Sequence, residues 1–145
     1  MSVELPFAPV DTIIRRNAGS LRVSAEAAEE LARRIQEQGA ERAVEAADVA
    51  TADGRKTLMA SDFGTEATAD KDELELPIAP VDRIARLELD DYRVSMDARL
   101  ALAADLEVFA DRVAAAAADL ARHADRRTVK AEDVEAYFRL NQYYE

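Results

Sequence analysis

The chain repeats its own opening halfway along its length. The stretch ELPFAPVDTI at residues 4–13 returns as ELPIAPVDRI at residues 75–84. Shifting the sequence by about 71 residues aligns 4–63 with 75–134 without a gap, and about 24 of about 60 positions are then identical. Such self-similarity restricts the fold to an architecture built from two copies of one structural motif.

Each copy predicts a short helix, a long helix and a second short helix. In the first copy, Pro9 favours a helix start, and Ser24 is a good N-cap for a helix that nothing breaks firmly before Asp53-Gly54. Gly39 is tolerated inside this helix at a cost of about 1 kcal/mol. The helix of about 28 residues would span about 42 Å. The long helix of the second copy has the stronger apolar stripe, with residues at three- and four-residue steps: Leu102, Leu106, Phe109, Val113, Ala117 and Leu120.

A segment with the composition of a linker joins the two copies. Residues 64–74 read GTEATADKDEL, a breaker glycine followed mostly by acidic and small polar residues. We therefore expect one fold over residues 1–63, the linker over 64–74 and a second fold over 75–145. The third helix of the first copy is expected to be cut short at Phe63-Gly64.

The apolar stripe of a 42 Å helix is too long for two short flanking helices to cover. Each copy therefore needs a second copy packed against it, and the chain supplies that copy itself. These patterns predict an all-α fold class, in which the two copies form one pseudo-symmetric body with their long helices crossing.

The composition leaves little room for an enzyme. The 145 residues include no Cys, one His and four Gly, so the chain has no thiolate metal site, no zinc ligand set, no P-loop and no GxGxxG motif. The N-terminus carries no apolar signal segment, and no apolar run approaches the ~20 residues of a membrane span. We expect a soluble intracellular protein without cofactor, metal, membrane or small-molecule substrate.

The charge is strongly acidic. Thirty acids face 19 bases, which gives a net charge of −11, and only three of the bases are lysine: Lys56, Lys71 and Lys130. The simpler interpretation is a well-solvated surface. Adaptation to molar salt explains both the acid surplus and the scarcity of lysine, and we favour it.

Short motifs recur in the same order in the two copies. They are ELPFAPVDTIIRR, RVS, GRKT and ASDF in the first copy, and ELPIAPVDRIAR, RVS and RRTVKAEDV in the second. These motifs and their order resemble the archaeal histones, and two copies with an acidic surplus look like the histone doublets of halophilic archaea. The resemblance implies two tandem histone folds in an intramolecular handshake pseudo-dimer. It also implies a protein that binds and bends duplex DNA with little sequence preference, associated with the nucleoid in the cytoplasm.

The resemblance also assigns DNA-binding residues. It pairs Arg22 with Thr128 and Arg93 with Thr57, with each arginine entering the minor groove, a contact that suits the narrow, electronegative groove. The remaining basic residues would meet phosphates, four in the second loops and three around the first helices: Arg55, Lys56, Arg126, Arg127, Arg15, Arg86 and Arg83.

Other interpretations of these residues stay open. Arg55 and Arg126 could instead form salt bridges to Asp62 and Asp133, and the resemblance favours such bridges. Arg15 and Arg86 could simply be solvated. Acidic residues just before Arg93 and the net charge both oppose DNA binding: Glu88, Asp90 and Asp91.

The resemblance further implies self-association through the second copy, at Leu120, His123 and Asp133. The aligned residues of the first copy are Val49, Ala52 and Asp62, so that end is expected to be blunted. The C-terminal residues are expected to pack the third helix on the long helices: Tyr137, Phe138, Leu140, Tyr143 and Tyr144. The alternative function is a histone-fold interaction module of transcription regulation, which predicts an exposed apolar groove and weak or no DNA binding.

Overall fold

The computed structural model describes residues 2–64 and 69–144, and the described chain is mainly helical. The α-helices are α1 Phe7–Ala18, α2 Ala25–Ala52, α3 Ile78–Arg86, α4 Met96–His123 and α5 Ala131–Asn141. The two-residue strands are β1 Arg22–Val23, β2 Thr57–Leu58, β3 Arg93–Val94 and β4 Thr128–Val129. Short 3₁₀ turns cover Ala60–Phe63, Lys71–Glu73 and Gln142–Tyr144.

The two long helices have the predicted length of 28 residues each. The hydroxyl of Ser24 accepts a hydrogen bond from the Ala27 amide at 3.1 Å, and that of Ser95 accepts one from the Ala98 amide at 3.1 Å. Each serine therefore satisfies one of the amides that the first helical turn leaves without a backbone acceptor.

The first helix begins earlier than predicted. α1 starts at Phe7 rather than at Pro9 and ends at Ala18, followed by Gly19 with a φ of 60°. Proline is accepted in the first turn because the amides there have no helical acceptor to lose, so Pro9 indicated the turn but not its first residue.

The third helix of the first copy is short, as expected. It is a single 3₁₀ turn, Ala60–Phe63, which ends at Gly64 in the left-handed conformation, whereas α5 covers 11 residues. Part of the predicted linker, residues 65–68, lies outside the described residues. Another part, Lys71–Glu73, forms a 3₁₀ turn, so this stretch is not entirely irregular.

The chain divides into two compact units, and each unit contains residues of both sequence copies. The α3 unit comprises Ile35–Glu107 with the N-terminal residues through Leu5. The α1 unit comprises Pro6–Arg34 and the chain from Val108 onward. Each long helix therefore gives one part of its length to each unit.

The core of the α3 unit explains the glycine inside α2. A Cβ on Gly39 would lie 2.6 Å from Cγ2 of Ile84 and 3.0 Å from Cδ1 of Leu106, both of which are fully buried. The sequence predicts only the cost of this glycine in helix propensity. The close approach of α3 and α4 to α2 is the reason that a larger residue does not fit.

The core of the α1 unit consists of aliphatic residues and an aromatic contact between α4 and α5. The rings of Phe109 on α4 and Phe138 on α5 pack together, with their centroids 6.1 Å apart. The buried aliphatic residues are Val10, Ile13, Ile14, Leu31 and Val113. The packing predicted for the C-terminal residues is wrong for Tyr143 and Tyr144, which are 80% and 84% exposed, whereas Leu140 is 44% exposed and lies beside Leu120 of α4.

Candidate nucleic-acid interface

In the α1 unit, the RVS motif of the first copy lies beside the loop that follows α4. β1 runs parallel to β4, with Arg22 opposite Thr128. The Arg22 amide donates to the carbonyl of Arg127 at 2.8 Å, and the Ser24 amide donates to that of Val129 at 3.0 Å. The structure therefore brings together the first arginine and threonine that the sequence pairs.

The α3 unit repeats this arrangement with the copies exchanged. β2 runs parallel to β3, with Thr57 opposite Arg93. The Arg93 amide donates to the carbonyl of Lys56 at 2.9 Å, and the Ser95 amide donates to that of Leu58 at 3.1 Å. Two backbone hydrogen bonds thus fix the position of each RVS motif against its threonine loop.

Each residue of the RVS motif has a distinct position. The valines Val23 and Val94 are buried, and the serines cap the long helices. The arginines Arg22 and Arg93 are exposed. Within residues 2–64 and 69–144, neither guanidinium has an ion-pair partner. The motif therefore presents an unneutralised arginine on a rigid backbone.

Arg55 is committed to an ion pair inside its own loop. Its Nη1 and Nη2 donate to Oδ2 and Oδ1 of Asp62 at 2.9 and 2.8 Å, and Nη1 also donates to the Thr57 carbonyl at 2.9 Å. Asp62 accepts a further hydrogen bond from the Met59 amide at 2.7 Å. Hydrogen bonding from Arg55 is the main cause that holds the pKa of Asp62 below its ordinary value.

Arg126 forms the equivalent ion pair with Asp133. Nη1 donates to Oδ2 at 2.7 Å, Nη2 donates to Oδ1, and the Lys130 amide donates to Oδ2 at 2.8 Å. Burial by itself would raise the pKa of Asp133, but these hydrogen bonds outweigh it, and the pKa lies below its ordinary value. The salt bridges that the sequence left as an alternative are thus present in both loops.

Lys56 and Arg127, which precede the two threonines, are both exposed. Nζ of Lys56 lies 4.6 Å from the ring centroid of Tyr92, a cation–π distance, and the Tyr92 hydroxyl is hydrogen-bonded to that of Thr51. Tyr92 was not assigned to the site from the sequence. Its position directly before the RVS motif was the available signal.

The three arginines of the first helices are each paired with an acid. The distances between the paired atoms are 2.7, 3.1 and 2.9 Å for Arg15 with Asp11, Arg86 with Asp82, and Arg83 with Glu4. Arg86 also donates to the Tyr92 carbonyl at 3.0 Å. These side chains have less unneutralised charge to offer an anion than Arg22 and Arg93.

The two RVS loops differ in the charge around them. In the α3 unit, three exposed acids come shortly before Arg93: Glu88, Asp90 and Asp91. The aligned residues before Arg22 in the α1 unit are uncharged: Asn17, Gly19 and Ser20. The electrostatic potential at Arg22 is therefore more favourable to phosphate than that at Arg93.

The residues assigned to self-association differ in exposure. His123 ends α4 and is exposed, Leu120 is partly exposed, and the side chain of Asp133 is only 3% exposed. Both oxygens of Asp133 are engaged by Arg126. The buried Asp133 therefore stabilises the loop, and the accessible surface at the end of α4 comes from His123 and Leu120.

Comparison with protein families decides the identity of the fold. The family model described as "Histone-like transcription factor (CBF/NF-Y) and archaeal histone" matches residues 3–64 and 74–136. The chain belongs to this histone family. Histone-fold proteins of this kind are non-enzymatic, DNA-packaging proteins that associate as dimers.

Two histones illustrate the similarity. The chain is 57% identical over 59 residues to one of the subunits of the archaeal histone HAN1 from Thermococcus zilligii, a match that covers 41% of this chain and 87% of that protein. The crystal structure of the histone from Methanopyrus kandleri matches with a TM-score of 0.69 and 28% identity, over 90% of this chain and 91% of that one. A histone-like architectural role in DNA binding fits both comparisons.

The described residues contain neither a membrane-spanning helix nor a metal-binding cluster. No helix within residues 2–64 and 69–144 is long and apolar enough to cross a membrane. The same residues contain no group of three or more His, Cys, Asp and Glu side chains arranged to hold a metal ion.

Proposed function

We propose that the chain is an architectural DNA-binding histone that binds and bends duplex DNA with little sequence preference. The observation that carries the proposal is the duplicated pairing of an exposed arginine with a threonine, Arg22 with Thr128 and Arg93 with Thr57. Arginines inserted into the minor groove read its width and potential rather than a base sequence, which accounts for the low sequence preference.

The surrounding residues have different roles in this proposal. Lys56 and Arg127 contact phosphates beside the inserted arginines, because both are exposed and next to the threonines. Arg55 and Arg126 hold the loops in shape through their ion pairs and contribute little to phosphate binding. The paired arginines of the first helices are secondary phosphate contacts: Arg15, Arg83 and Arg86.

We further propose that the two copies form an intramolecular handshake. Its support is that each compact unit combines elements of both copies, with β1 paired to β4 and β2 paired to β3. A single chain would then form the unit that a histone dimer forms from two chains, and the tandem arrangement keeps the two copies at a fixed ratio.

The net charge of −11 opposes binding to DNA, so the salt concentration matters for the affinity. With ~6 phosphate contacts the salt slope is about −5, so the linear law predicts a loss of roughly six decades between about 0.2 M and about 3 M salt. An acidic chain adapted to molar salt binds cations that DNA must displace, which alters this slope. We propose a halophilic, nucleoid-associated cytoplasmic protein whose binding is moderate and responsive to salt.

A titration of fluorescent duplex DNA from low to molar potassium chloride tests this function. The expected result is binding that weakens with salt and brings the labelled duplex ends together in an energy-transfer measurement. A folded protein that does not bind duplex at any salt concentration would contradict the proposal. It would favour the alternative function, a histone-fold module for protein interaction in transcription regulation.

Self-association through the second copy is part of the same proposal. Leu120 and His123 offer an accessible surface at the end of α4, and the aligned Val49 and Ala52 lack the imidazole. Pairing of two chains through their second copies gives an assembly of four histone folds that does not extend further. Light scattering should detect a two-chain species that His123→Ala removes, and species that grow beyond two chains would contradict it.

A further inference from the structure

A groove of about 530 Å³ lies on the α3 unit, along one side of α2 and beside the turn after α3. Its lining residues on α2 recur at intervals of one helical turn, so they form a continuous strip: Gln36, Glu37, Ala40, Glu41, Val44 and Glu45, with Leu87 and Glu88 from the turn. The volume is within the roughly 300–1,000 Å³ of typical ligand-binding clefts.

The groove combines an apolar floor with an acidic rim. Ala40 and Val44 on α2 and the 43% exposed Leu87 provide the floor. Glu41, Glu45 and Glu88 are exposed, and none of these three has an ion-pair partner within the part of the chain that the structure describes. Apolar surface framed by unneutralised carboxylates is complementary to an apolar side chain flanked by cations.

The corresponding surface of the α1 unit is closed. Arg16 aligns with Leu87 and Asp111 aligns with Ala40 in the sequence repeat. Nε and Nη2 of Arg16 donate to the two oxygens of Asp111 at 2.9 and 2.8 Å, and the Asn17 side chain donates to the same carboxylate at 2.8 Å. An ion pair from α1 to α4 thus occupies the place where the α3 unit has Leu87 and Ala40.

The acids of the groove are also particular to one copy. The residues that align with Glu41, Glu45 and Glu88 are not acidic: Arg112, Ala116 and Asn17. The repeat therefore keeps the fold in both units, whereas the apolar floor and the acidic rim occur together only in the α3 unit of the described chain.

We propose that the groove docks a cationic segment of another protein, in which one or two large apolar side chains are flanked by Lys or Arg. The apolar anchors bury against Val44 and Leu87, and the flanking cations pair with the rim glutamates. Duplex DNA is excluded as the occupant by like-charge repulsion. The groove uses neither RVS motif, and Glu88 is the one rim residue that also belongs to the acids before Arg93.

Binding of a labelled peptide to the full chain tests the proposal. The probe is a peptide of about 14 residues with two Leu flanked by Lys and Arg, compared with versions carrying Ser for Leu or Glu for the cations. The double variant A40D/L87R transfers the closing ion pair of the α1 unit without changing the net charge. We expect this variant to weaken peptide binding by at least about tenfold and to leave DNA binding unchanged.

A charge series separates the groove from acidity in general. The variant E41Q/E45Q/E88Q should also weaken peptide binding about tenfold. The matched control E26Q/E29Q/D48N removes three exposed acids of α2 that lie outside the groove, and it should leave peptide binding unchanged. These surface variants keep the test decisive if A40D/L87R fails to fold.

Three results would overturn the proposal. The first is either a wild-type chain that does not bind the peptide or an A40D/L87R variant that binds it as tightly as wild type does. The second is equal weakening by the two triple variants. The third is a two-chain species in light scattering that A40D/L87R removes, which would make the groove an interface between copies of this chain.

Discussion

Arg126 binds both carboxylate oxygens of Asp133, which lies seven residues further along the chain, across the turn between β4 and α5. Arg55 binds Asp62 in the same way after β2. These carboxylates also accept the amide that precedes the following helix, so each aspartate ties a loop, a strand and a helix start together.

Replacing Asp133 with Asn should destabilise the fold by about 2–3 kcal/mol, because it removes the buried carboxylate that accepts hydrogen bonds from Arg126 and from the Lys130 amide, and leaves Arg126 with only Glu132, at 3.7 Å, as an ionic partner. For a chain of this size the melting temperature should fall by roughly 5–10 °C. Asp119→Asn is the matched control, since Asp119 pairs with Arg122 on the surface with 80% of its side chain exposed. A control effect as large as that of Asp133→Asn would contradict the assignment.

The same ion pairs predict a loss of stability in acid. The folded-state pKa of Asp62 and that of Asp133 are both lowered, so their contribution is fully present above the ordinary carboxyl pKa of about 3.9 and is lost as the pH falls below it. Denaturant unfolding should therefore show wild type and Asp133→Asn converging in stability below about pH 4. A constant difference from pH 7 to pH 2 would show that the carboxylate charge is not the cause.

The isolated halves, residues 1–70 and 71–145, should not fold separately as monomers. Each compact unit contains elements from both halves, and each strand pair joins one half to the other. We expect neither half to give a cooperative melt as a monomer in molar salt, and an equimolar mixture to recover one. A monomeric half that melts cooperatively would contradict the requirement for both copies.

Most of the helical framework could be predicted from the sequence, because long apolar stripes and serine caps are local signals. The ends were less certain: Pro9 is compatible with several positions of a first turn, and the start at Phe7 depends on packing. The pairing of Arg16 with Asp111 could not be predicted, since the two residues are far apart in the chain and each is ordinary in its own helix.

The site was predicted to a different degree in each part. The register of Arg22 with Thr128 followed from the resemblance, and the backbone pairing confirms that the two residues are brought together. The exposure of Tyr143 and Tyr144 could not be predicted, because an aromatic residue at the end of a helix is equally compatible with core and surface.

The two arginines should differ in their contribution to DNA binding. Arg22→Ala should weaken duplex binding more than Arg93→Ala, because exposed acids come shortly before Arg93 and uncharged residues occupy the aligned positions before Arg22. Neutralising those acids in E88Q/D90N/D91N should strengthen binding, and Asn is suitable at Asp91 because its φ is 61°. Equal effects of the two arginine variants would remove the proposed asymmetry.

In the proposed function, the arginines of the two RVS motifs hold the DNA. The most direct measurement compares duplex affinity for R22A/R93A with that for R33A/R112A, which removes two exposed arginines outside the strand pairs and changes the net charge equally. We predict that R22A/R93A retains its melting temperature, binds at least about tenfold more weakly than the control and has a shallower salt dependence. Equal affinities of the two double variants would contradict the account.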